Sequence, residues 1–405
     1  MSSEHAFLAA ASAIGRRIVS DAVWDGGRCN WIGAAADPKQ PWRLEYRALG
    51  PSPYDGTAGV GLFLAQLAAV TGDAAARRTA IGALRHAGER AASLPPAERD
   101  GLHAGVVGVA LAAARAAARL SEPELAARAR ALAANPGLPS GPDRCPDVIT
   151  GSAGSIIGFL ALAEACDDTR MIDRAAAAGE ELVGRAAVTR HGWSWASPGR
   201  RYPHDLCGLA HGAGGIGWAL LELFAASGDD RFGAGASGAF AYERSWLDAT
   251  SGMWPDLRLP GQRRGRARTA GSPATGTWCH GEAGIALTRL RAVAVLGSEA
   301  ERLDAELALD TTRRHLAGLL AHEIEDLSLC HGASGSADVL LGSGERSHEA
   351  FELGQLALEG YAGEPWPCGV PGGTTPGLFL GLSGIGWWFL RLHDDRVPSP
   401  LGTWG

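Results

Sequence analysis

One short pattern recurs seven times along this chain: a Gly-x-x-Gly followed at once by an apolar run of helical length. The leading glycines are Gly56, Gly105, Gly151, Gly212, Gly281, Gly332 and Gly381, at intervals of 49, 46, 61, 69, 51 and 49 residues. A pitch held over seven copies marks a repeat architecture, whose units cannot bury their apolar faces alone and must stack. The runs, among them GLFLAQLAAV, GIGWALLELF and GIGWWFLRLH, are apolar on nearly every side and therefore belong to an inner layer. Between them lie longer stretches, 74–94, 122–134, 172–186, 232–246, 298–320 and 348–360, with charge on one face and Ala/Leu on the other. A further helix over 5–23 partners the first run. Seven buried and seven half-wet segments predict an all-α fold. Neither end shows the polar cap that an open solenoid needs, so the pattern predicts closure into a double-layered α/α toroid of seven inner and seven outer helices. This reading gives a single domain over 1–405, with the repeats over 54–393 and a helix plus loop over 1–53. An open superhelix for protein binding is the rival.

Bulk properties narrow the function. With 46% hydrophobic residues, 20% charged residues and a net charge of −7, the chain has no electrostatic footprint for nucleic acid or an anionic membrane surface. No apolar run approaches the roughly 20 residues that cross a bilayer, so no transmembrane segment is expected. The apolar stretch from Ala6 to Ile14 is short and is followed, not preceded, by Arg16 and Arg17, which argues for the cytoplasm and against a secretory signal. Seven cysteines, an odd number scattered over a long chain, do not form a disulfide framework; those that cluster point to metal binding or catalysis.

The clustering appears once the repeats are set in register. The residue before each Gly-x-x-Gly is Asp55, Ala104, Thr150, His211, His280, His331 and Leu380. One further back stand Tyr54, His103, Ile149, Ala210, Cys279, Cys330 and Phe379. Equivalent positions in a closed ring lie at equivalent heights, so His211, Cys279-His280 and Cys330-His331 are expected at one end of the central cavity. Asp147, four residues before Gly151, belongs to the neighbouring repeat. Two cysteines and one histidine supply three ligands for Zn²⁺ and leave the fourth tetrahedral position for water or substrate, as a catalytic site requires. The alternative is that Cys279 and Cys330 are small buried apolar residues. Spacing alone does not say whether His331 or His280 is the nitrogen ligand.

These residues carry a family resemblance. WCHGEAGIAL (Trp278–Leu287) and LCHGASG (Leu329–Gly335) resemble the two zinc motifs of lanthionine synthetase C-type cyclases. AHGAGGIGWAL (Ala210–Leu220), PDVITGSAG (Pro146–Gly154) and YDGTAGVGLF (Tyr54–Phe63) are similar to that family's other repeat signatures, over about Tyr54 to His393. The wording is nearest the cyclase half of the bifunctional class II synthetases, without their dehydratase half, so the chain resembles a free-standing cyclase. The resemblance implies an α/α toroid with Zn²⁺ held by Cys279, Cys330 and His331, and acid–base roles for His211 and Asp147. It also implies a dehydrated precursor peptide as substrate, supplied by a separate dehydratase or kinase–lyase partner. Two positions depart from the pattern: His280 stands where such cyclases often carry Tyr, and Thr275 where they often carry Arg. His280 is therefore assigned either to hydrogen bonding of the incoming thiolate or enolate, to support behind the metal, or to a merely structural role.

The expected reaction adds a peptide cysteine thiolate to the β-carbon of dehydroalanine or dehydrobutyrine, giving a lanthionine or methyllanthionine thioether. His211 would move the proton and Asp147 would orient it, unless both serve only as helix N-terminal caps. Cys29, Cys145, Cys166, Cys207 and Cys368 are expected to be structural, Cys207 being the one nearest a glycine pair, five residues before Gly212. The loops 28–53 and 191–207 are expected either to cover the cavity and grip substrate or only to fill the surface. Rival functions are a non-catalytic peptide-binding scaffold, a prenyltransferase-like zinc–thiolate enzyme, and addition of a small thiol.

Overall fold

Every glycine pair opens a helix. The computed structural model describes all residues except 1, 2, 38, 39, 140, 142, 143, 267–275, 345, 346, 362 and 405. The glycine-led helices are α2 (Thr57–Thr71), α4 (Val106–Leu120), α6 (Ser152–Cys166), α8 (Ala213–Ser227), α10 (Glu282–Leu296), α12 (Ala333–Gly342) and α14 (Leu382–His393). The amphipathic set is α1 (Ser3–Ser20), α3 (Ala74–Ala92), α5 (Pro123–Ala134), α7 (Arg170–Arg185), α9 (Asp230–Arg244), α11 (Glu299–Leu320) and α13 (His348–Tyr361). Burial separates the two sets. α2 is buried without a break from Thr57 to Ala68, whereas α3 buries one face, Ala76, Thr79, Ala80, Gly82, Ala83, Leu84, Ala87 and Ala91.

The glycine pairs owe their place to close approach. The leading glycine of each pair is the helix N-cap in extended backbone, with φ −93° at Gly332, so no left-handed conformation is needed. At the second position a side chain has no room: a Cβ on Gly335 would stand 1.9 Å from the Leu329 carbonyl oxygen. Each inner helix thus begins tucked under the turn that precedes it.

The chain forms two compact units. The first comprises residues 1–95, 104–136 and 318–405. In it α2 lies between α4 and α14, with α3 packed outside α2, α5 outside α4 and α1 outside α14. The second comprises residues 96–103 and 137–317. There α8 lies between α6 and α10, with α7 outside α6 and α9 outside α8. The buried Arg289 of α10 bonds Glu243 of α9 at 2.8 Å and Asp304 of α11 at 3.2 Å, so its charge is compensated where water cannot reach.

Within each unit the turns before the inner helices join laterally through the backbone. In the first, the Cys330 N–H donates to the Phe379 carbonyl (3.0 Å) and the Phe379 N–H to the Tyr54 carbonyl (2.8 Å). In the second, Ala210 donates to Cys279 (3.0 Å), Val148 to Ala210 (3.2 Å) and Leu102 to Val148 (3.1 Å). Residues at the same register position, or one place apart, in successive repeats are thereby held side by side.

Hairpins lie in the first expected loop and straddle the start of both. β1 (Val23–Asp25) pairs with β2 (Arg28–Asn30), β3 (Ile32–Asp37) with β4 (Gln40–Ala48), and β5 (Ala187–Thr189) with β6 (Gly192–Ser194), all antiparallel. A shared device anchors two of them. The buried indole of Trp31, just after β2, donates to the Ile18 carbonyl of α1 at 2.7 Å; that of Trp195, just after β6, donates to the Leu182 carbonyl of α7 at 2.8 Å. In both cases the tryptophan lies thirteen residues beyond its acceptor. A tertiary anchor thus stabilises strands too short to persist alone.

Candidate functional site

Asp147 divides its two carboxylate oxygens in the second unit. Oδ1 accepts the Thr150 N–H at 2.7 Å and the Thr150 hydroxyl at 3.2 Å, while Oδ2 lies 2.5 Å from His211 Nδ1. The local turn and the histidine therefore share one acid, and the cap of α6 itself is Gly151. Burial disfavours the imidazolium of His211, but the Asp147 hydrogen bond and charge outweigh it and raise the pKa above the ordinary 6.5. Burial likewise disfavours the Asp147 carboxylate, and His211 reverses that, holding it below the ordinary 3.8. With Nδ1–H given to Asp147, Nε2 is the nitrogen that exchanges protons.

The His280 ring lies against that of His211, centroids 5.6 Å apart and planes 28° from parallel. Burial, then the positive charges of Arg258 and His211, push its pKa down to about 3, so His280 is a neutral imidazole. Cys279, next to it in the turn before α10, is buried, with Sγ 3.8 Å from the Thr277 hydroxyl. Arg258 was not singled out by the sequence. It reaches this region from the loop after α9, its guanidinium paired with Asp256 at 2.8 and 2.9 Å, and its charge is felt at Cys279, His211 and His280. Glu282, the fully buried first residue of α10, fixes that loop by accepting the Trp254 N–H at 3.1 Å and the Gly276 N–H at 2.8 Å. An acid in the first turn of an otherwise apolar helix was the signal available for Glu282. Nothing in local spacing points to Arg258. Thr275 lies outside the described residues.

The first unit holds Cys330 and His331 in the turn before α12. The sulfur is buried, and it lies within 4.8 Å of a ring nitrogen of His331. The His331 Nε2–H donates to the Gly369 carbonyl at 3.1 Å, with Asp326 Oδ2 at 3.5 Å beside it. That fixes the tautomer and leaves the Nδ1 lone pair as the available ligand. Gly369 permits the approach, because a Cβ there would stand 3.0 Å from His331 Nε2 and 2.7 Å from the Ser328 hydroxyl. The donor pair is thus one soft sulfur and one borderline nitrogen with a carbonyl and a carboxylate behind it, which suits zinc.

None of the seven cysteines, all of them among the described residues, is in a disulfide. Burial pushes Cys29 and Cys145 up to about 12, Cys368 up to about 11, and Cys207 well above the ordinary value, so these are neutral thiols as a structural role requires. Among the described residues, no helix is long and apolar enough to cross a membrane.

Against known proteins, the family model described as "Lanthionine synthetase C-like protein" matches residues 47–401. No curated protein matches the chain by sequence. Among solved structures, a nisin cyclase superposes with a TM-score of 0.64 at 18% identity, over 87% of this chain and 90% of that one. A GH76 α-mannanase of Bacteroides thetaiotaomicron gives a TM-score of 0.48 at 9% identity over 97% of this chain and 96% of that one. A cellobiose 2-epimerase of Spirochaeta thermophila gives 0.45 at 12% identity over 98% of each. The likeness to nisin cyclase shows the fold: an all-α, double-layered α/α toroid, as the repeat pattern predicted.

Proposed function

Because the chain belongs to the lanthionine synthetase C-like family, we propose that it is a zinc-dependent cyclase acting on a dehydrated precursor peptide in the cytoplasm. Cys279, Cys330 and His331 are the proposed ligands, one donor atom each. The observation that carries the reading is the Cys330–His331 pair, with His331 Nε2 committed to Gly369 so that Nδ1 remains for the ion. Family membership and the equivalent register place of Cys279 support the third ligand.

Bound zinc would supply the Lewis acidity that ionises a substrate cysteine thiol, whose unperturbed pKa is about 8.5. His211 Nε2 accepts the thiol proton, and Asp147 stabilises the imidazolium that results. The sulfur then forms its bond to the β-carbon of the dehydro residue as the carbon–carbon double bond opens, and negative charge passes to the carbonyl oxygen. Arg258 is the cation suited to that enolate, held ready by Asp256 and by the Glu282-anchored loop. His211 returns its proton to the α-carbon, so atoms and charge balance with no further reactant. His280 stays neutral against the His211 ring, packing it in place without competing for the proton.

Ring closure is an isomerisation with no mass change, so it is followed by loss of alkylatable thiol on the dehydrated peptide. The wild type is expected to hold one zinc per chain and to close rings. Cys330→Ala is expected to lose both. Ring closure by a metal-free Cys330→Ala protein would refute the proposal.

A further inference from the structure

Cys330 has a neighbour to which neither the ligand set nor the proton path assigns a task. The Tyr54 hydroxyl lies 2.9 Å from Cys330 Sγ. A phenol donates and a sulfur accepts, so the hydroxyl hydrogen is directed at Sγ. Three repeats build the arrangement. Tyr54, Phe379 and Cys330 occupy the same register position, two residues before Gly56, Gly381 and Gly332. Backbone bonds Cys330→Phe379 and Phe379→Tyr54 hold them abreast. The Tyr54 ring lies flat on Phe379, centroids 5.2 Å apart and planes 8° from parallel, which aims the hydroxyl past Phe379 at the sulfur.

We infer that Tyr54 is a positioning residue for the metal centre, whose O–H fixes the Cys330 sulfur in place and withdraws charge from it. The inference rests on the zinc reading above. Two consequences follow from hydrogen-bond chemistry. A ligand sulfur already held by a hydrogen-bond donor has less freedom to lose when it takes up the ion, so the centre keeps its metal more tightly. The same donation lowers the sulfur lone pairs, so a ligand-to-metal transition from that sulfur requires more energy.

Cobalt(II) substitution reads the second consequence directly, and chelator competition reads the first. Tyr54→Phe removes the hydroxyl and keeps the stack on Phe379, so its melting temperature should stay near that of the wild type. Its sulfur-to-cobalt band is expected at longer wavelength and its zinc affinity lower by about tenfold. Phe379→Leu keeps the phenol but removes the ring that aims it, so a shift in the same direction and no larger than that of Tyr54→Phe is expected. A wild-type band and wild-type zinc affinity in a folded Tyr54→Phe protein would overturn the inference while leaving the zinc centre standing. A wild type that takes up no metal would overturn the zinc reading and this inference with it.

Discussion

Replacing Asp147 with Asn removes one charge and leaves the shape nearly unchanged. The amide oxygen can still accept the Thr150 N–H, now at 2.7 Å, so the turn before α6 should survive. What disappears is the anion 2.5 Å from His211 Nδ1. A hydrogen bond to a charged group contributes about 1.5–3 kcal/mol. Because the His211 side chain is 40% exposed, solvent screens the pair and the lower end applies, about 1.5 kcal/mol. At 1.4 kcal/mol per factor of ten, ring closure should slow by about tenfold. The pH profile should move as well. Asp147 raises the His211 pKa, so the acidic limb of the rate shifts to lower pH in the variant. Stability follows the same pair. The Asp147 contribution is present above its ordinary 3.8 and is lost as pH falls through its lowered value. The His211 contribution is present below 6.5 and is lost as pH rises through its raised value. The stability gap between wild type and variant should therefore be widest between those two ordinary values and shrink on either side. Single-turnover thiol alkylation across pH measures the rate, metal analysis confirms unchanged zinc, and denaturant unfolding at several pH values measures the gap. An unchanged rate and an unmoved acidic limb would refute the assignment of Asp147 and His211 to proton transfer.

Two further changes test other parts of the site. Arg258→Gln should keep zinc but slow ring closure by at least about tenfold, with Arg258→Lys recovering part of the loss; equal rates in all three proteins would remove Arg258 from the enolate. Gly335→Ala puts a methyl group 1.9 Å from the Leu329 carbonyl and should cost about 3 kcal/mol, whereas Gly342→Ala, in the same helix with open space around it, should be nearly neutral. Melting curves that do not separate the two would show that close approach is not what the second glycine of each pair provides.

Much of the fold was legible because its signals are local. The stretch 74–94 read as an outer helix ends within two residues of α3, and 348–360 within one residue of α13, since amphipathic periodicity and helix termini are short-range properties. The hairpins from Val23 to Ala48 were not legible, because their short strands depend on Trp31 reaching the Ile18 carbonyl, a contact that no periodicity encodes. His280 shows the same limit: sequence placed it beside a candidate ligand, and only the fold laid its ring on His211 in a buried, neutral state.

By itself the sequence determined the seven-fold repeat, the separation of inner from outer helices, and the register that sets Cys279, Cys330, His331 and His211 in corresponding turns. Those follow from periodicity along the chain, where spacing fixes which face a residue occupies. Tertiary structure decided the partnerships: Asp147 with His211 across 64 residues, Tyr54 with Cys330 across 276, and Gly369 behind His331 across 38. Hydrogen bonds act over about 3 Å, and that proximity arises only when the repeats stack and backbone bonds set their turns abreast.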